Sequence, residues 1–345
     1  MCNRLQIHKR SLILELVFLS TIRDVAKVAG VSVATVSRVL NNKGYVNEDT
    51  RKRVEAAIES LNYKPNAVAR SLFKKQSKMI GLIVPDITNP FFPQLARAVE
   101  DVTNQLGYTL VLCNSDEDII KEQKYIEALN QKYVDGFIVV TSTLKAEHIK
   151  DLKVPIVALD RPINSDTPTV SVNNYDGART ATKYLIDAGC QKIAHVRGPH
   201  DVLPADDRYR GYLDEVKDLN WFLPELIVNG NFNINKTKEV TKRLLTLHPD
   251  IDGIFAGNDL MAVGVIKAAE ELGIKIPERL SIIGFDGITL CEITSPELTT
   301  IAQPIYNIGS KAVQILVDLI ENKPLEQKNY SFSVDLIERQ STRSR

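Results

Sequence analysis

Six short polar residues stand at or just past the ends of apolar runs in this sequence. In open α/β sheets, ligands bind outside the carboxyl ends of the strands. Carboxylates and amides have fixed hydrogen-bonding directions, and together they can accept bonds from, and donate bonds to, neighbouring hydroxyl groups. Asp and Asn also begin helices and turns, so each residue alone has a structural alternative. As a set they predict a site for a small molecule with several hydroxyl groups: Asp160, Asn173, Asn174, Asn258, Asp286 and Gln303.

Aromatic and basic residues accompany this polar set. Two phenylalanines follow an Asn-Pro pair in the loop after the first apolar run, and a third follows the run at 226–230. A sugar ring has apolar C–H faces and a rim of hydroxyl groups, so aromatic rings and polar groups together suit it. The phenylalanines could instead belong to a core, but two arginines, one of them next to Asp160, supply guanidinium donors that core packing does not need. These candidates are Phe91, Phe92, Arg161, Arg208 and Phe232.

A second pattern, near the start of the chain, is a pair of short amphipathic helices joined at a glycine. Thr21 can cap the first helix, and an aspartate at the third helical position is typical of a capping box. Gly30 ends that helix, and Ser32 can begin a second one, 33–40, after a turn of about three residues, the length that a helix-turn-helix needs. A third capped helix, 48–61, would close a three-helix core.

The outward face of the second helix carries residue types that read DNA. Arg38 suits a bidentate contact with guanine, while Val33 and Ala34 can contact a thymine methyl group. Nearby hydroxyl and amide groups suit phosphates, which position a helix without specifying sequence. An ordinary helical domain is the alternative, but basic charge, helix spacing and small polar residues on one face together favour DNA binding. The phosphate candidates are Thr35, Ser37 and Asn41.

Charge is unevenly distributed, although the 345-residue chain has 43 basic and 43 acidic residues. Residues 21–78 hold 12 Lys and Arg against five Asp and Glu, so a basic head precedes an acidic body. The length predicts a small module followed by a two-lobed body. The four cysteines lie far apart, and no zinc, nucleotide-binding or acyl-transfer motif is present. We therefore expect no metal, no cofactor, no disulfide framework and no enzymatic activity.

The acidic body alternates apolar runs with amphipathic stretches, which is typical of parallel sheets wrapped by helices. Strands are predicted at 79–85, 109–114, 136–140, 155–160, 169–173, 192–198, 253–258, 280–286 and 298–304. Helices are predicted at 91–106, 119–131, 175–188, 206–219, 235–247, 259–272 and 305–321. The predicted fold class is an N-terminal all-α helix-turn-helix domain followed by a two-lobed α/β body with parallel sheets.

The N-terminal residues resemble the lac repressor/galactose repressor family of transcriptional regulators. The resemblance rests on Ile22-Arg23-Asp24-Val25-Ala26, on residues 30–41 with the sequence GVSVATVSRVLN, and on residues 62–72. In that family the segment after the proline is a hinge helix that folds on operator DNA and inserts a leucine into the minor groove. Residues 66–73 are too short for a stable isolated helix, which suits this role, although simple linker packing is the alternative for Leu72. The resemblance extends the predicted DNA contacts to Thr21, Ser32, Tyr63, Asn66, Ala69 and Leu72.

From Met79 to about Arg339 the body resembles the type I periplasmic-binding-protein-like domain of this family, and ribose-binding proteins in particular. Each residue type that holds ribose in that group has a counterpart here, so the resemblance implies ribose as the effector. Asn173 departs from the wider family, in which an aspartate usually precedes the asparagine. The matching residues are Asn89, Phe91, Phe92, Asp160, Arg161, Asn174, Arg208, Phe232, Asn258, Asp286 and Gln303.

These observations predict a lead-in (1–20), a helix-turn-helix domain (21–64), a hinge helix and linker (65–78), an effector-binding and dimerisation domain (79–339) and a tail (340–345). The lead-in is either a disordered segment or the result of an upstream start codon, and both interpretations stay open. The resemblance implies a cytoplasmic homodimer, without membrane contact, that represses transcription from a palindromic operator under control of a sugar. A transport receptor would share the body but lack the helix-turn-helix. A catabolite-control regulator, which uses a phosphorylated carrier protein as corepressor, shares the DNA-binding half and stays an alternative. Induction and corepression also both stay open, because they use the same pocket.

Overall fold

The computed structural model describes residues 20–42, 44–64, 76–141 and 143–344. The chain divides into two compact units, residues 1–75 and 76–345. Three helices form the described part of the first unit: α1 (Ile22–Ala29), α2 (Val33–Leu40) and α3 (Glu48–Ser60). Their bounds agree with the predicted ones to within one residue.

Local side-chain chemistry sets the ends of these helices. The Thr21 side chain accepts a hydrogen bond from the backbone N–H of Asp24, and the Asp24 carboxylate accepts one from the N–H of Thr21, which completes a capping box. Gly30 adopts a left-handed conformation, φ 66°, which turns the N–H of Val31 back to the Ala26 carbonyl at 3.0 Å and ends α1. Ser32 then caps α2 by accepting from the N–H of Thr35. The helix-turn-helix therefore follows from signals that lie within a few residues of one another.

A small apolar core closes the helical unit. Val25, Val36 and Val54, one from each helix, have no exposed surface. Tyr63, just beyond α3, is 9% exposed and packs into the same core. Burial of these side chains supplies the stability that three short helices lack on their own.

Two six-stranded sheets form the second unit. The strands are β1 (Met79–Val84), β2 (Thr109–Asn114), β3 (Gly136–Val139), β4 (Ile156–Leu159), β5 (Thr169–Val172), β6 (Ile193–Arg197), β7 (Ile227–Asn229), β8 (Gly253–Ala256), β9 (Ser281–Asp286), β10 (Thr299–Ala302), β11 (Asn329–Phe332) and β12 (Asp335–Ile337). The first sheet has the order β11-β5-β4-β3-β1-β2 and is parallel throughout. The second has the order β12-β10-β9-β8-β6-β7, in which only β12 is antiparallel to its neighbour. The predicted two-lobed α/β class is confirmed.

Helices surround each sheet, and the chain passes between the lobes three times. The helices are α4 (Phe91–Gln105), α5 (Ile119–Asn130), α6 (Ala146–Ile149), α7 (Asn174–Asp187), α8 (Leu203–Val216), α9 (Ile234–Leu247), α10 (Asp259–Glu271) and α11 (Ile305–Ile320). The crossings lie after β5, between β10 and α11, and between β11 and β12. Helix α8 begins three residues before the predicted start, because Pro204 is well tolerated in a first helical turn. No helix in the described ranges is long and apolar enough to cross a membrane.

The start of each unit differs from the predicted domain map. Ser20 belongs to the helical unit rather than to a lead-in, because its hydroxyl donates to the carbonyl just after α3 at 2.7 Å. Ser77 and Lys78 belong to the second unit rather than to a linker, because their backbone N–H groups both donate to the Asp135 carboxylate at 3.0 Å. The rest of the predicted lead-in, 1–19, and of the predicted hinge, 65–75, lies outside the described residues.

The predicted tail at 340–345 is wrong for the residues that the structure describes there. Ser341 is fully buried; its hydroxyl donates to the Ile282 carbonyl at 2.6 Å and accepts from the N–H of Thr299 at 2.8 Å. Arg343 donates to the carbonyl and carboxylate of Asp252, each at 3.0 Å. Residues 340–344 are therefore part of the second lobe.

Candidate functional site

A cavity of about 420 Å³ lies between the two lobes, at the carboxyl edges of both sheets. Its volume falls in the range of small-molecule sites, roughly 300–1,000 Å³. The first lobe contributes loops that follow β1, β2 and β4, and the second contributes loops that follow β6 to β10. Ten of the eleven residues predicted to bind a ligand line it: Asn89, Phe91, Phe92, Asp160, Arg161, Arg208, Phe232, Asn258, Asp286 and Gln303.

Arg208, on α8, organises the wall of the second lobe. Its Nε donates to Oδ1 of Asn174 at 2.8 Å, and its Nη1 donates to the Gly257 carbonyl at 2.7 Å. Nη1 also lies 3.2 Å from Oδ1 of Asp286. The centre of the guanidinium is 3.7 Å from the centre of the Phe285 ring, so one face of the cation is covered. These contacts hold Arg208 in one orientation beside the cavity.

Asp286, the last residue of β9, presents a carboxylate to the cavity. Gln303 Nε2 donates to its Oδ1 at 2.7 Å, and Arg208 lies against the same oxygen. Oδ2 makes no hydrogen bond or ion pair with the described part of the chain, so it can accept from a ligand. Burial raises the pKa of Asp286 to about 7, and the Arg208 charge partly offsets that rise, whereas Asp259 and Asp160 add to it.

Asp259 supports the Asp286 turn from beneath, a role that sequence reasoning missed. It is fully buried and accepts from the backbone N–H groups of Gly287 and Ile288 at 2.7 and 3.0 Å. The Thr300 hydroxyl donates to its other oxygen at 2.6 Å. Burial also raises the pKa of Asp259. The three bonds fix the loop that begins directly after Asp286.

Arg161 stands on the first-lobe side with a partner that the sequence did not predict. Its Nη1 lies 3.2 Å from Oε1 of Glu117, whereas its Nε lies 3.8 Å from Oδ2 of the neighbouring Asp160. The predicted Asp160–Arg161 pair is therefore the longer of two contacts. The Arg161 side chain is 6% exposed, and its Nε is buried without a hydrogen-bond partner. The guanidinium thus sits between two carboxylates at the cavity wall.

Aromatic side chains form the apolar part of the wall. Phe91 and Phe92 contact each other edge to face, with ring centres 5.2 Å apart. Both are at least nine-tenths buried and also line the cavity. Each ring can therefore pack in the core and contact a ligand. Phe232 reaches the cavity from the second lobe beside Gly198, where an added Cβ would lie 2.5 Å from its ring. A side chain at position 198 would displace that ring.

Strained backbone is concentrated at this cavity. Asp160, Phe232 and Asp286 have positive φ values of 64°, 54° and 123°, in a region that residues other than glycine rarely adopt. Each such conformation costs on the order of 1–3 kcal/mol and persists where the surrounding structure enforces it, often at ligand sites. Residues of this kind come from both lobes and line one cavity, which agrees with a site built for recognition.

Three predicted strand-end amides have structural roles. Asn174 does not line the cavity of about 420 Å³. Its Oδ1 accepts a hydrogen bond from Arg208, so it orients a side chain that does line the cavity. Asn173 and Asn258 cap α7 and α10 by accepting from backbone N–H groups, and Asn258 also lines the cavity. The contacts of Asn173 are those of a residue that begins a helix, which was the structural alternative for this position.

Sequence reasoning missed further polar residues that line the cavity. Asp86 follows β1, and the others follow β2 and β7, two strands whose ends were not included in the polar set. The rule that selected Asp160 and Asp286, namely polar groups past the end of an apolar run, would also have selected them. They are Asp86, Asp116, Glu117, Asn231 and Asn233.

The outward face of α2 has the predicted composition. Ala34 and Arg38 are exposed, and Val33 is 41% exposed. Arg38 makes no hydrogen bond or ion pair with residues 20–42 or 44–64. Its guanidinium is therefore available to a partner.

The polar side chains around Arg38 bond to one another. The hydroxyls of Ser32 and Thr35 are 2.9 Å apart, and Asn41 Nδ2 donates to the Ser37 carbonyl at 2.7 Å. Their phosphate contacts stay predictions, as do those of Thr21, whose side chain forms the capping box. Each of these oxygens keeps further acceptor capacity.

Tyr63 is the one described DNA-contact candidate that the structure places in the core. With 9% of its surface exposed, its ring packs against the three helices, so the structure does not bring it to the face that carries Arg38. The family motif at 62–72 led to its selection, whereas apolar packing accounts for its position. Asn66, Ala69 and Leu72 lie outside the described residues.

Comparisons with known proteins identify both units. Residues 21–66 match the model of lacI-family bacterial regulatory proteins, and residues 182–342 match that of a periplasmic binding protein-like domain. A ribose operon repressor of Halalkalibacterium halodurans is 52% identical over 325 residues, which cover 94% of this chain and 98% of that protein. The chain belongs to the lac repressor family. It is a transcriptional repressor, and the named relative is a regulator rather than an enzyme, as predicted.

Solved structures of family members resemble this repressor over most of its length. The lac repressor dimer bound to operator and an anti-inducer is 28% identical, with a TM-score of 0.83, and the match covers 94% of this chain and 99% of that one. A regulator of the same family from Enterococcus faecium with bound ribose is 33% identical, with a TM-score of 0.69 over 76% of this chain and 98% of that one. No cluster of three or more potential metal ligands forms within the described residues.

Proposed function

We propose that this repressor binds a palindromic operator as a homodimer, and that D-ribose in the cavity between the lobes weakens its hold on that operator. The observation that carries the ribose assignment is the cavity itself. Ten residues selected from the sequence by their resemblance to ribose-binding proteins line it, and Asp286 keeps Oδ2 free for a ligand hydroxyl. Aromatic rings on both lobes supply apolar contact for the faces of a sugar ring.

The placement of these groups on both lobes supports a switch. A ligand that bonds Arg161 on the first lobe and Asp286 on the second favours the arrangement in which both reach it. Ribose and operator then favour different arrangements of the same dimer. By linkage, operator must weaken ribose binding by the factor by which ribose weakens operator binding, a coupling of about 1–3 kcal/mol in typical cases.

Calorimetric titration of the purified repressor with ribose, xylose, arabinose, galactose and adenine tests the assignment. We expect selective binding of ribose, followed by release of labelled operator when ribose is added. If none of these compounds binds, ribose control fails and the catabolite-control alternative, a phosphorylated carrier protein as corepressor, gains weight. If ribose binds and tightens the operator complex, the proposed direction of the response is wrong.

Ribose binding should depend on pH through Asp286. In the absence of ligand, burial raises the pKa of the Asp286 carboxyl to about 7. The Arg208 charge lowers this pKa, whereas the charges of Asp259 and Asp160 raise it. Sugar hydroxyls donate to the ionised carboxylate, so binding requires the proton to leave whenever the pH is below that pKa. We expect the association constant for ribose to rise about tenfold between pH 6 and pH 8. Calorimetry across this range measures it; Asp286→Asn should abolish the rise, and a flat wild-type profile would contradict it.

A further inference from the structure

The charged groups around the cavity are arranged in a way that the recognition of ribose does not by itself require. We define the acidic rim as Asp86, Asp116, Glu117 and Asp160, all on the first lobe and all lining the cavity. With Asp286 on the second lobe, five carboxylates line a cavity that has two guanidinium groups, and no lysine or histidine is among its described lining residues. Such an excess of carboxylates repels an anionic ligand more than an uncharged one.

Both arginines already have carboxylate partners. Arg161 lies 3.2 Å from Glu117 and 3.8 Å from Asp160, and Arg208 lies 3.2 Å from Asp286. Arginine is the side chain best suited to bidentate phosphate binding, so an anion-binding cavity would leave at least one guanidinium without a carboxylate. Neither guanidinium at this cavity lacks a carboxylate partner.

Three helix starts at the cavity are also occupied, whereas α8 begins there without a side-chain cap. A helix N-terminus can bind a phosphate through its free N–H groups. Asn233 and Asn258 line the cavity and fill part of that role with their own amide oxygens, which accept from the first turns of α9 and α10 at 2.9 and 2.8 Å. Asn89 does the same at the start of α4, where its Oδ1 accepts from the N–H of Phe91 at 3.2 Å.

We infer that the acidic rim makes this cavity selective for uncharged sugars over sugar phosphates, and that Glu117 is the main specificity-determining residue. Glu117 pairs with the first-lobe guanidinium and places a negative charge at the cavity wall. A sugar phosphate brings a charge of about −1.5 to −2, which the rim repels and which Arg161 cannot bind without giving up Glu117. Lys121 offsets Asp116 through a contact of 2.5 Å. Glu117 is the rim carboxylate that lies nearest Arg161, so it both repels the phosphate and keeps that guanidinium from binding it. The inference rests on the proposed sugar-binding function.

Two probes that differ in charge but not in ring form isolate this effect. D-Ribose 5-phosphate and 5-O-methyl-D-ribose are both confined to the furanose ring, because O5 is substituted in each. We expect the full-length repressor to bind the methyl ether at least about tenfold more tightly than the phosphate in low salt. The ratio should shrink severalfold as NaCl rises from about 0.05 to about 0.5 M, because added ions screen repulsion at an open cavity. Calorimetry measures both.

Glu117→Gln removes the charge and preserves the shape of the side chain. We expect this variant to lower the ratio of methyl-ether affinity to phosphate affinity by about tenfold. The substitution removes one repulsive charge and leaves Arg161 free to bind the phosphate. Asp151→Asn makes the same change of charge at an exposed first-lobe residue outside the cavity, and it should leave the ratio unchanged. Circular dichroism establishes that both variants are folded.

The outcomes separate this inference from the proposed function. Equal binding of the two probes, a ratio that does not respond to salt, or a ratio that Glu117→Gln leaves unchanged would each overturn charge selection. Binding of ribose but of neither probe would also overturn it, because size or ring form would then exclude sugar phosphates. Failure to bind ribose itself would refute the proposed function, and selection by the rim would fall with it.

Discussion

Asp286→Ala should give a repressor that binds operator as the wild type does but no longer releases it with ribose. The carboxylate is held through Oδ1 by Gln303 and Arg208, which leaves Oδ2 for ligand hydroxyls. Hydrogen bonds to a charged group contribute about 1.5–3 kcal/mol each, so loss of two such bonds should weaken ribose by at least about 100-fold. Calorimetry gives the ribose affinity, and fluorescence anisotropy of labelled operator, with and without ribose, gives the response.

A second variant separates recognition from folding at this position. Asp286→Asn keeps the shape of the side chain, and asparagine is one of the residues that tolerate positive φ, so the turn at 123° should persist. We expect it to retain the fold and lose much of the ribose affinity. Arg208 keeps Asn174 and the Gly257 carbonyl in both variants, so it is not left unpaired. Normal release of operator by ribose in Asp286→Ala would remove this residue from the binding site.

The helical unit could be predicted from sequence because its signals are local. The Thr21 cap and the Gly30 turn act within four residues, and the apolar spacing that buries Val25 and Val36 is visible in the chain itself. Tyr63 lacks such a signal. Its aromatic ring with a polar tip suits either a DNA surface or a core, and only the packing of three helices decides between them.

Most of the α/β body was also predictable, whereas its edges were not. Strands buried on both faces read as continuous apolar runs, which is why nine strand regions were located. Strands β11 and β12 are short, mixed in polarity and partly exposed, and β11 pairs with β5 about 160 residues earlier in the chain. The burial of Ser341 likewise depends on bonds to Ile282 and Thr299, which no nearby residue signals.

The candidate site divides in the same way. Residues at the carboxyl ends of parallel strands share one edge, so four of the six polar residues selected there line one cavity. The other six lining residues came from the accompanying aromatic and basic candidates and from the resemblance to ribose-binding proteins. Partners within the site depend on tertiary structure. Arg161 is adjacent to Asp160 in sequence, yet its closer carboxylate belongs to Glu117, 44 residues away on another loop. Asp259 was missed because a buried carboxylate that supports a turn has the same sequence pattern as a helix-starting aspartate.

Arg38→Ala should lower specific operator affinity far more than affinity for random DNA. Arg38 is exposed on α2 and has no hydrogen bond or ion pair within residues 20–42 and 44–64, so no internal contact is lost. A bidentate contact with guanine contributes about 1–3 kcal/mol of discrimination. A dimer that reads two half-sites loses it twice, or about 2–6 kcal/mol, which corresponds to roughly a 30-fold to 10⁴-fold loss of operator affinity. Anisotropy titrations with operator and scrambled duplexes at one salt concentration measure both affinities.

Arg38→Lys is the matched control because it keeps the charge and removes the planar fork. Lysine can still attract a phosphate and can reach guanine O6 and N7, but it lacks the fixed planar fork of arginine. If Arg38 reads a base, the lysine variant should lose part of the operator affinity that Arg38→Ala loses and should match the wild type on scrambled DNA. If it contacts a phosphate, the lysine variant should resemble the wild type on both duplexes, and Arg38→Ala should weaken both by similar factors with a smaller salt dependence. The two patterns differ in the ratio of operator affinity to scrambled-DNA affinity, so measuring that ratio in each variant separates base reading from charge attraction.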